Sequence, residues 1–185
     1  MSVSRETIQK NMCPVLIETG TYHGDFIQSI KDLGFETIIS IEVSMECCKI
    51  AWEKFARDDN VFVLYGDSVN VLDATIKTIK DKMIFVLDAH CCDWGSDTRT
   101  LDEKDKSKLT TYPIIRELEI IKSHSRKNHT IIIDDVRLFE SHFSTTLEEV
   151  KQVLLSINSN YNITLVDGLS LDGSVISNDV LIAKE

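Results

Sequence analysis

Glycine and proline are scarce in this chain, with seven and two among its 185 residues. That scarcity excludes collagen-like and low-complexity classes. No C-x-x-C pair is present. The five cysteines, Cys13, Cys47, Cys48, Cys91 and Cys92, are odd in number and four of them form two adjacent pairs. Adjacent cysteines do not readily both face one ion, so no structural zinc is expected. An odd count without framework spacing reads as reduced thiols in a reducing compartment. Long apolar runs are missing too, and none approaches the roughly 18 residues of a membrane-spanning helix. The opening stretch, Met1 to Asn11, is polar and lacks the apolar core of a secretory signal. A cytoplasmic protein with no membrane partner is expected.

Basic charge is also in short supply. Lys and Arg number 20 against 30 Asp and Glu, a formal net charge of −10. A nucleic-acid surface needs clustered cations, so no nucleic-acid partner is expected. The nearest approach to a basic patch, Lys122, Arg126 and Lys127, reads as a solvated helix end.

What is present is alternation. The runs Val15 to Ile17, Thr37 to Ile41, Val61 to Leu64, Met83 to Leu87, Thr130 to Ile133, Ile163 to Val166 and Val180 to Ala183 are short, apolar and β-branched. Runs of that kind read as buried strands of a parallel sheet. Helix patterns lie between them: Asp25 to Leu33, Met45 to Ala56 capped by Ser44, Val69 to Ile79 opened by Ser68, Ile114 to Ser123 after Pro113, and a helix whose start is marked by the pair Thr145 and Glu148. Strand and helix in turn predict an α/β, doubly wound, Rossmann-like sheet in a single domain over residues 1–185. The last two runs are joined by a polar loop too short for a crossover helix, so the final strand is expected to enter antiparallel. Residues 91–111 break the rhythm with Asp93, Asp97, Arg99, Asp102 to Asp105, Lys106 and Lys108. They read either as a polar lid over the site or as a plain insertion.

In such a sheet ligands bind beyond the carboxyl ends of the strands. The first strand ends in Glu18-Thr19-Gly20-Thr21-Tyr22-His23-Gly24. Its G-x-x-x-G spacing is not the G-x-G-x-x-G of dinucleotide proteins. Glu18 would repel a pyrophosphate and suits a ligand carrying an ammonium and a sulfonium; the two glycines allow close backbone approach, or simply a tight turn. Glu42 ends the second strand and can accept both hydroxyls of a ribose. Asp67 and Ser68 end the third, where Asp67 suits an adenine amine or an ordinary helix cap. Asp88-Ala89-His90 and Asp134-Asp135 follow the fourth and fifth strands. Three carboxylates on one rim call for a cation or raised pKa values, and a hard divalent ion such as Mg²⁺ favours such oxygens. Solvated aspartates are the alternative.

Together these residues resemble a class I S-adenosylmethionine-dependent methyltransferase, from about Val15 to the end of the chain. The resemblance implies a seven-stranded sheet in the order 3-2-1-4-5-7-6. It implies that Glu18, Thr19, Gly20, Thr21, Tyr22, Gly24, Glu42, Asp67 and Ser68 hold S-adenosyl-L-methionine. The segments Leu87-Asp88-Ala89-His90 and Ile133-Asp134-Asp135 further resemble the metal-dependent macrocin-type sugar O-methyltransferases, which implies Mg²⁺ on Asp88, Asp134 and Asp135 and a sugar or other small hydroxylated acceptor. This chain is shorter than those enzymes and carries the polar segment 91–111. A poor nucleophile such as a hydroxyl needs a base or a metal, and Asp88 or His90 is expected to take its proton. The rival readings are a nicotinamide-dependent oxidoreductase and a non-catalytic nucleoside-binding domain on the same fold.

Overall fold

The structure is a computed structural model, and it describes residues 2–90, 112–170 and 172–185. The expected lid or insertion at 91–111 lies outside the described residues. In chain order the elements are α1 (Arg5–Gln9), β1 (Val15–Thr19), α2 (Asp25–Ile30), β2 (Thr37–Glu42), α3 (Met45–Lys54), β3 (Val61–Tyr65), α4 (Ser68–Lys77), β4 (Met83–Leu87), α5 (Ile114–Ser123), β5 (Thr130–Ile133), α6 (Leu147–Ile157), β6 (Asn162–Leu169) and β7 (Val175–Lys184). Short 3₁₀ turns follow α2 at Lys31–Leu33 and β5 at Val136–Leu138.

The seven strands form one sheet in the order β3-β2-β1-β4-β5-β7-β6. The first five are parallel, and β7 runs antiparallel to both β5 and β6. The order and the reversed last strand match the expected fold. Sequence and structure part where the hairpin begins. Strands β6 and β7 pair beyond the sheet as far as Leu169 and Val175, with a bulge between Val166 and Gly168. That outer part is largely exposed and lacks an apolar run, and it is held by the hairpin pairing and by the Leu169 N–H donating to the Ser2 carbonyl at 3.0 Å.

Because side chains alternate along a strand, the central strands supply two cores. Val15, Ile17, Met83, Phe85, Leu87, Ile131 and Ile133 point to the face covered by α4, α5 and α6. Leu16, Ile38, Ile84, Val86 and Ile132 point to the face covered by α1, α2 and α3. This alternation also decides where the last residues of each strand point. Thr19 follows the first face; Glu18 and, past Leu87, Asp88 follow the second.

Two helix starts are shifted by one residue from the sequence reading. Asp67, not Ser68, is the N-cap of α4, and its carboxylate accepts from the Val69 N–H at 3.0 Å. The capping box of α6 is Thr146 with Glu149 rather than Thr145 with Glu148. In both cases the residue that stays extended, not the first one with a suitable oxygen, becomes the cap. Helix α1 was not expected. Ser4 caps it, and its one buried side chain, Ile8, anchors an otherwise polar turn.

A histidine pair ties the opposite end of the sheet. The Met83 N–H donates to His129 Nδ1 at 3.1 Å, which puts the proton of the neutral ring on Nε2. His129 Nε2 then meets His124 Nδ1 at 2.9 Å, and His124 Nε2 reaches the Ile79 carbonyl at 3.0 Å. Strands β4 and β5 are thereby linked to the ends of α4 and α5. No helix among the described residues is long and apolar enough to cross a membrane.

Candidate functional site

Successive backbone hydrogen bonds align the carboxyl ends of five strands on one rim. Gly66 N–H donates to the Glu42 carbonyl at 2.8 Å and Gly20 N–H to the Ile41 carbonyl at 2.9 Å. Asp88 N–H donates to Thr19 at 3.0 Å and Asp134 N–H to Leu87 at 3.1 Å. The tips named from the sequence, Glu18 to Gly24, Glu42, Asp67, Asp88 and Asp134, therefore share one end of the sheet. The strand order reverses there, between β1 and β4, and such a switch point is where open α/β sheets bind ligands.

Glu18 is fully buried. The Ser40 hydroxyl donates to its Oε2 and also pairs with the Thr21 hydroxyl, so β1, β2 and the loop after β1 are joined. Its Oε1 has no hydrogen-bond partner. Burial, with the nearby Asp88 and Glu42 charges, pushes the Glu18 carboxyl up to about 8 despite the Ser40 hydrogen bond. A buried acid with an open oxygen is suited to a ligand that brings a positive or donating group. Glu42 is different. Its Oε2 accepts from the Tyr22 N–H and its Oε1 from the Ser44 N–H, both at 2.7 Å. A carboxylate oxygen can accept more than one hydrogen bond, and this is the chemistry a ribose hydroxyl requires. Tyr22 itself sits in the left-handed region with φ 49°, its ring half exposed and stacked on His23 at 3.8 Å.

Internal packing also requires the two glycines of this loop. A Cβ on Gly20 would stand 2.6 Å from the Asp88 carbonyl, and one on Gly24 2.5 Å from the Phe55 ring. Both residues also have positive φ. Their missing side chains allow close packing inside the protein, of the β1 loop against the residues that follow β4 and α3. Gly20→Val is therefore expected to lower the melting temperature as well as nucleotide binding. An unchanged thermal transition would contradict this packing.

Beyond β4 and β5 the polar groups form a connected row. His90 Nε2 lies 2.9 Å from Asp135 Oδ2 and 3.5 Å from Asp88 Oδ1. Asp135, at φ 57°, also meets Arg137 at 2.7 Å, and Arg137 pairs in turn with the buried Asp179. Burial pushes Asp135 up, but the His90 hydrogen bond and the Arg137 charge more than offset it, and its carboxyl stays below its ordinary value. Burial dominates at Asp88 and raises it, the His90 contact opposing. Asp88 Oδ1 is buried without a hydrogen-bond partner.

Asp134 is placed apart from that row. Its Oδ2 accepts from the Ser2 N–H at 2.6 Å, and its Oδ1 accepts from the Ser2 hydroxyl and from the Asp135 N–H at 2.9 Å. Burial and the neighbouring Asp88 and Asp135 charges push it up to about 7. Among the described residues two groups of donor atoms have the spacing a metal ion needs, Asp88 with His90 and Asp135, and Asp134 with Asp135 and Asp179. The three expected ligands, Asp88, Asp134 and Asp135, do not form one such group, whereas Asp88 and Asp135 do so with His90. The first group fits a divalent cation better. It includes an oxygen with no hydrogen-bond partner, while Asp134 already accepts from Ser2 through both oxygens and Asp179 is held by Arg137. A donor set that includes an imidazole is also less selective for Mg²⁺ than oxygens alone.

Four site residues escaped the sequence reading. Ser2 lies 132 residues from Asp134 and Asp179 lies 42 from Arg137, and no local pattern marks any of the three. Glu117 did leave a signal. It occupies the apolar stripe of α5 beside Ile114, Leu118 and Ile121, where a charged residue is out of place.

Comparison with solved structures adds an independent view. An O-methyltransferase from Bacillus cereus in complex with S-adenosylhomocysteine superposes with a TM-score of 0.65 at 16% identity, over 98% of this chain and 78% of that one. The chain shares the fold of that protein. The O-methyltransferase TomG from Streptomyces achromogenes, involved in tomaymycin synthesis and solved with S-adenosylmethionine, gives 0.63 at 14% identity, over 97% of this chain and 76% of that one. A Streptococcus mutans protein solved with S-adenosylhomocysteine gives 0.58 at 9% identity, over 98% and 95%. No protein-family model and no curated protein sequence matches the chain.

Proposed function

We propose that this chain is an S-adenosylmethionine-dependent methyltransferase of one domain, residues 1–185, acting on a hydroxyl oxygen of a small acceptor such as a sugar. The observation that carries the reading is the shared rim of Glu18, Glu42, Asp67 and Asp88 at the switch point of a 3-2-1-4-5-7-6 sheet. The fold of the solved methyltransferases supports it. Glu18 with Thr19, Gly20, Thr21, Tyr22 and Gly24 forms the methionine side of the nucleotide site, Glu42 takes the ribose, and Asp67 with Ser68 takes the base.

S-adenosylmethionine supplies an electrophilic methyl, so the protein's task is alignment and removal of one proton. Asp88 is the base in this reading. Its buried Oδ1, 3.5 Å from His90 Nε2 and without a hydrogen bond, and its raised pKa make it a stronger acceptor than a solvated carboxylate. His90, held against Asp135, positions Asp88 and shares the proton. A divalent cation held by Asp88, His90 and Asp135 would take the place of that shared proton and would lower the pKa of the acceptor hydroxyl directly. Cys13 and Cys48 carry free thiols, in keeping with a cytoplasmic setting.

Calorimetric titration with S-adenosylhomocysteine, with and without Mg²⁺, tests the reading. Saturable binding of one equivalent is expected. A thermal shift with NAD and none with S-adenosylhomocysteine would overturn it in favour of a nicotinamide-dependent enzyme.

A further inference from the structure

Helix α5 carries a buried acid that the proposed reaction does not use. Glu117 has no exposed surface, and neither of its carboxylate oxygens has a hydrogen-bond partner. The Thr19 Oγ1 beside it is also buried and unpartnered. The hydroxyls of Ser68 and Thr19 approach Glu117 closely enough to draw its pKa down, without hydrogen-bond geometry. The charged neighbours on the elements around it are Asp67, before α4, and Asp88, after β4, and both disfavour its ionisation. Leaving a buried polar atom unsatisfied costs about 1–3 kcal/mol. Here three such atoms meet at the carboxyl end of β1 and the start of α4.

The chemistry of this place limits what can satisfy it. A ligand must bring hydrogen-bond donors, because carboxylate oxygens accept. A bare cation is disfavoured by the amino-terminal, positive end of α4 at Ser68. A neutral N–H donor meets both conditions. Asp67 and Ser68, the residues assigned to the base in the proposed function, stand on the same shelf. Resting on that reading, we infer that Glu117 is a specificity-determining residue for the nucleoside, accepting a hydrogen bond from the exocyclic amine of adenine. Asp67 reads the base from the rim and caps α4; Glu117 reads it from beneath.

The test compares S-adenosylhomocysteine with S-inosylhomocysteine, in which a carbonyl replaces the amine. Titration of the wild-type protein should favour the adenosyl ligand by about tenfold or more, the equivalent of one buried hydrogen bond. In Glu117→Gln the amide can donate as well as accept, so the two affinities should come within about threefold of each other. A wild-type ratio retained in E117Q, or no preference in the wild type, would overturn the inference. A second measurement needs no variant. Burial pushes Glu117 up to about 7, so an N–H donor arriving at pH 7 should expel part of a proton. Calorimetry in buffers of different ionisation enthalpy should show more proton release with the adenosyl ligand than with the inosyl one, and equal release overturns the assignment. If neither ligand binds the wild type, the nucleotide site itself fails, a result distinct from binding without discrimination.

Discussion

Asp88→Asn is expected to lower kcat by about 10²–10⁴-fold, the usual share of a positioned base, while the affinity for S-adenosylhomocysteine stays within about threefold. Asparagine keeps the size of the side chain and its contact with His90 but cannot take a proton. The loss should therefore appear in single-turnover methyl transfer and not in binding heat. Asp135→Asn should act in the same direction, because His90 and Arg137 both lean on that carboxylate. Asp134→Asn should differ. It places an amide against the Ser2 N–H and hydroxyl, so its main effect is a lower melting temperature. Full activity of the Asp88 variant would remove the base from the proposal, and full activity in excess chelator would remove the cation while leaving the nucleotide site untouched.

The unliganded protein should be most stable near pH 5 and lose stability as the solution becomes alkaline, against the habit of most proteins. Three buried acids set the direction. Glu18 is raised to about 8, and Glu117 and Asp134 each to about 7, from ordinary carboxylate values. A group whose folded pKa lies above its unfolded one stabilises fully below the unfolded value, and that contribution disappears as pH climbs through the folded value. The window is therefore from about pH 4.5 to 8. His129 works the other way on the acid side. Burial, with His124 beside it, pulls its pKa down to about 3, so its contribution is whole above about pH 6.5 and is lost as pH falls toward 3. From pH 5.5 to 8.5 the acids outweigh it. The net loss should be at least about 2 kcal/mol, or roughly 4–8 °C in Tm. S-adenosylhomocysteine, which brings an ammonium and N–H donors to Glu18 and Glu117, should flatten that slope, and Glu18→Gln should remove its largest part. A melting temperature independent of pH across this range would refute the buried-acid arrangement.

Much of this architecture was legible beforehand because it rests on local patterns. The runs Met83 to Leu87 and Thr130 to Ile133 are strands to the residue, since each ends on an apolar residue and is fully buried between two helical layers. Runs with a polar residue at the end were read short. Glu18 and Thr19 belong to β1 and Glu42 to β2, because backbone pairing continues past the apolar stretch. The cap of α4 shifted for a related reason: Asp67 and Ser68 can each cap, and only the backbone angle of Asp67 decides between them.

The sequence alone determined the alternation of strand and helix, the reversed last strand and the set of acids at the strand tips, because side-chain period and chain direction dictate these without knowledge of distant partners. Only the tertiary structure decided how the acids divide. Ser2 takes Asp134, Arg137 binds Asp135 to Asp179, His90 joins Asp88, and Glu117 is left near the start of α4, close to the Ser68 and Thr19 hydroxyls but without a hydrogen bond. Hydrogen bonds and charges act over a few ångströms, and which groups come that close is set by how helices and strands pack, not by their spacing along the chain.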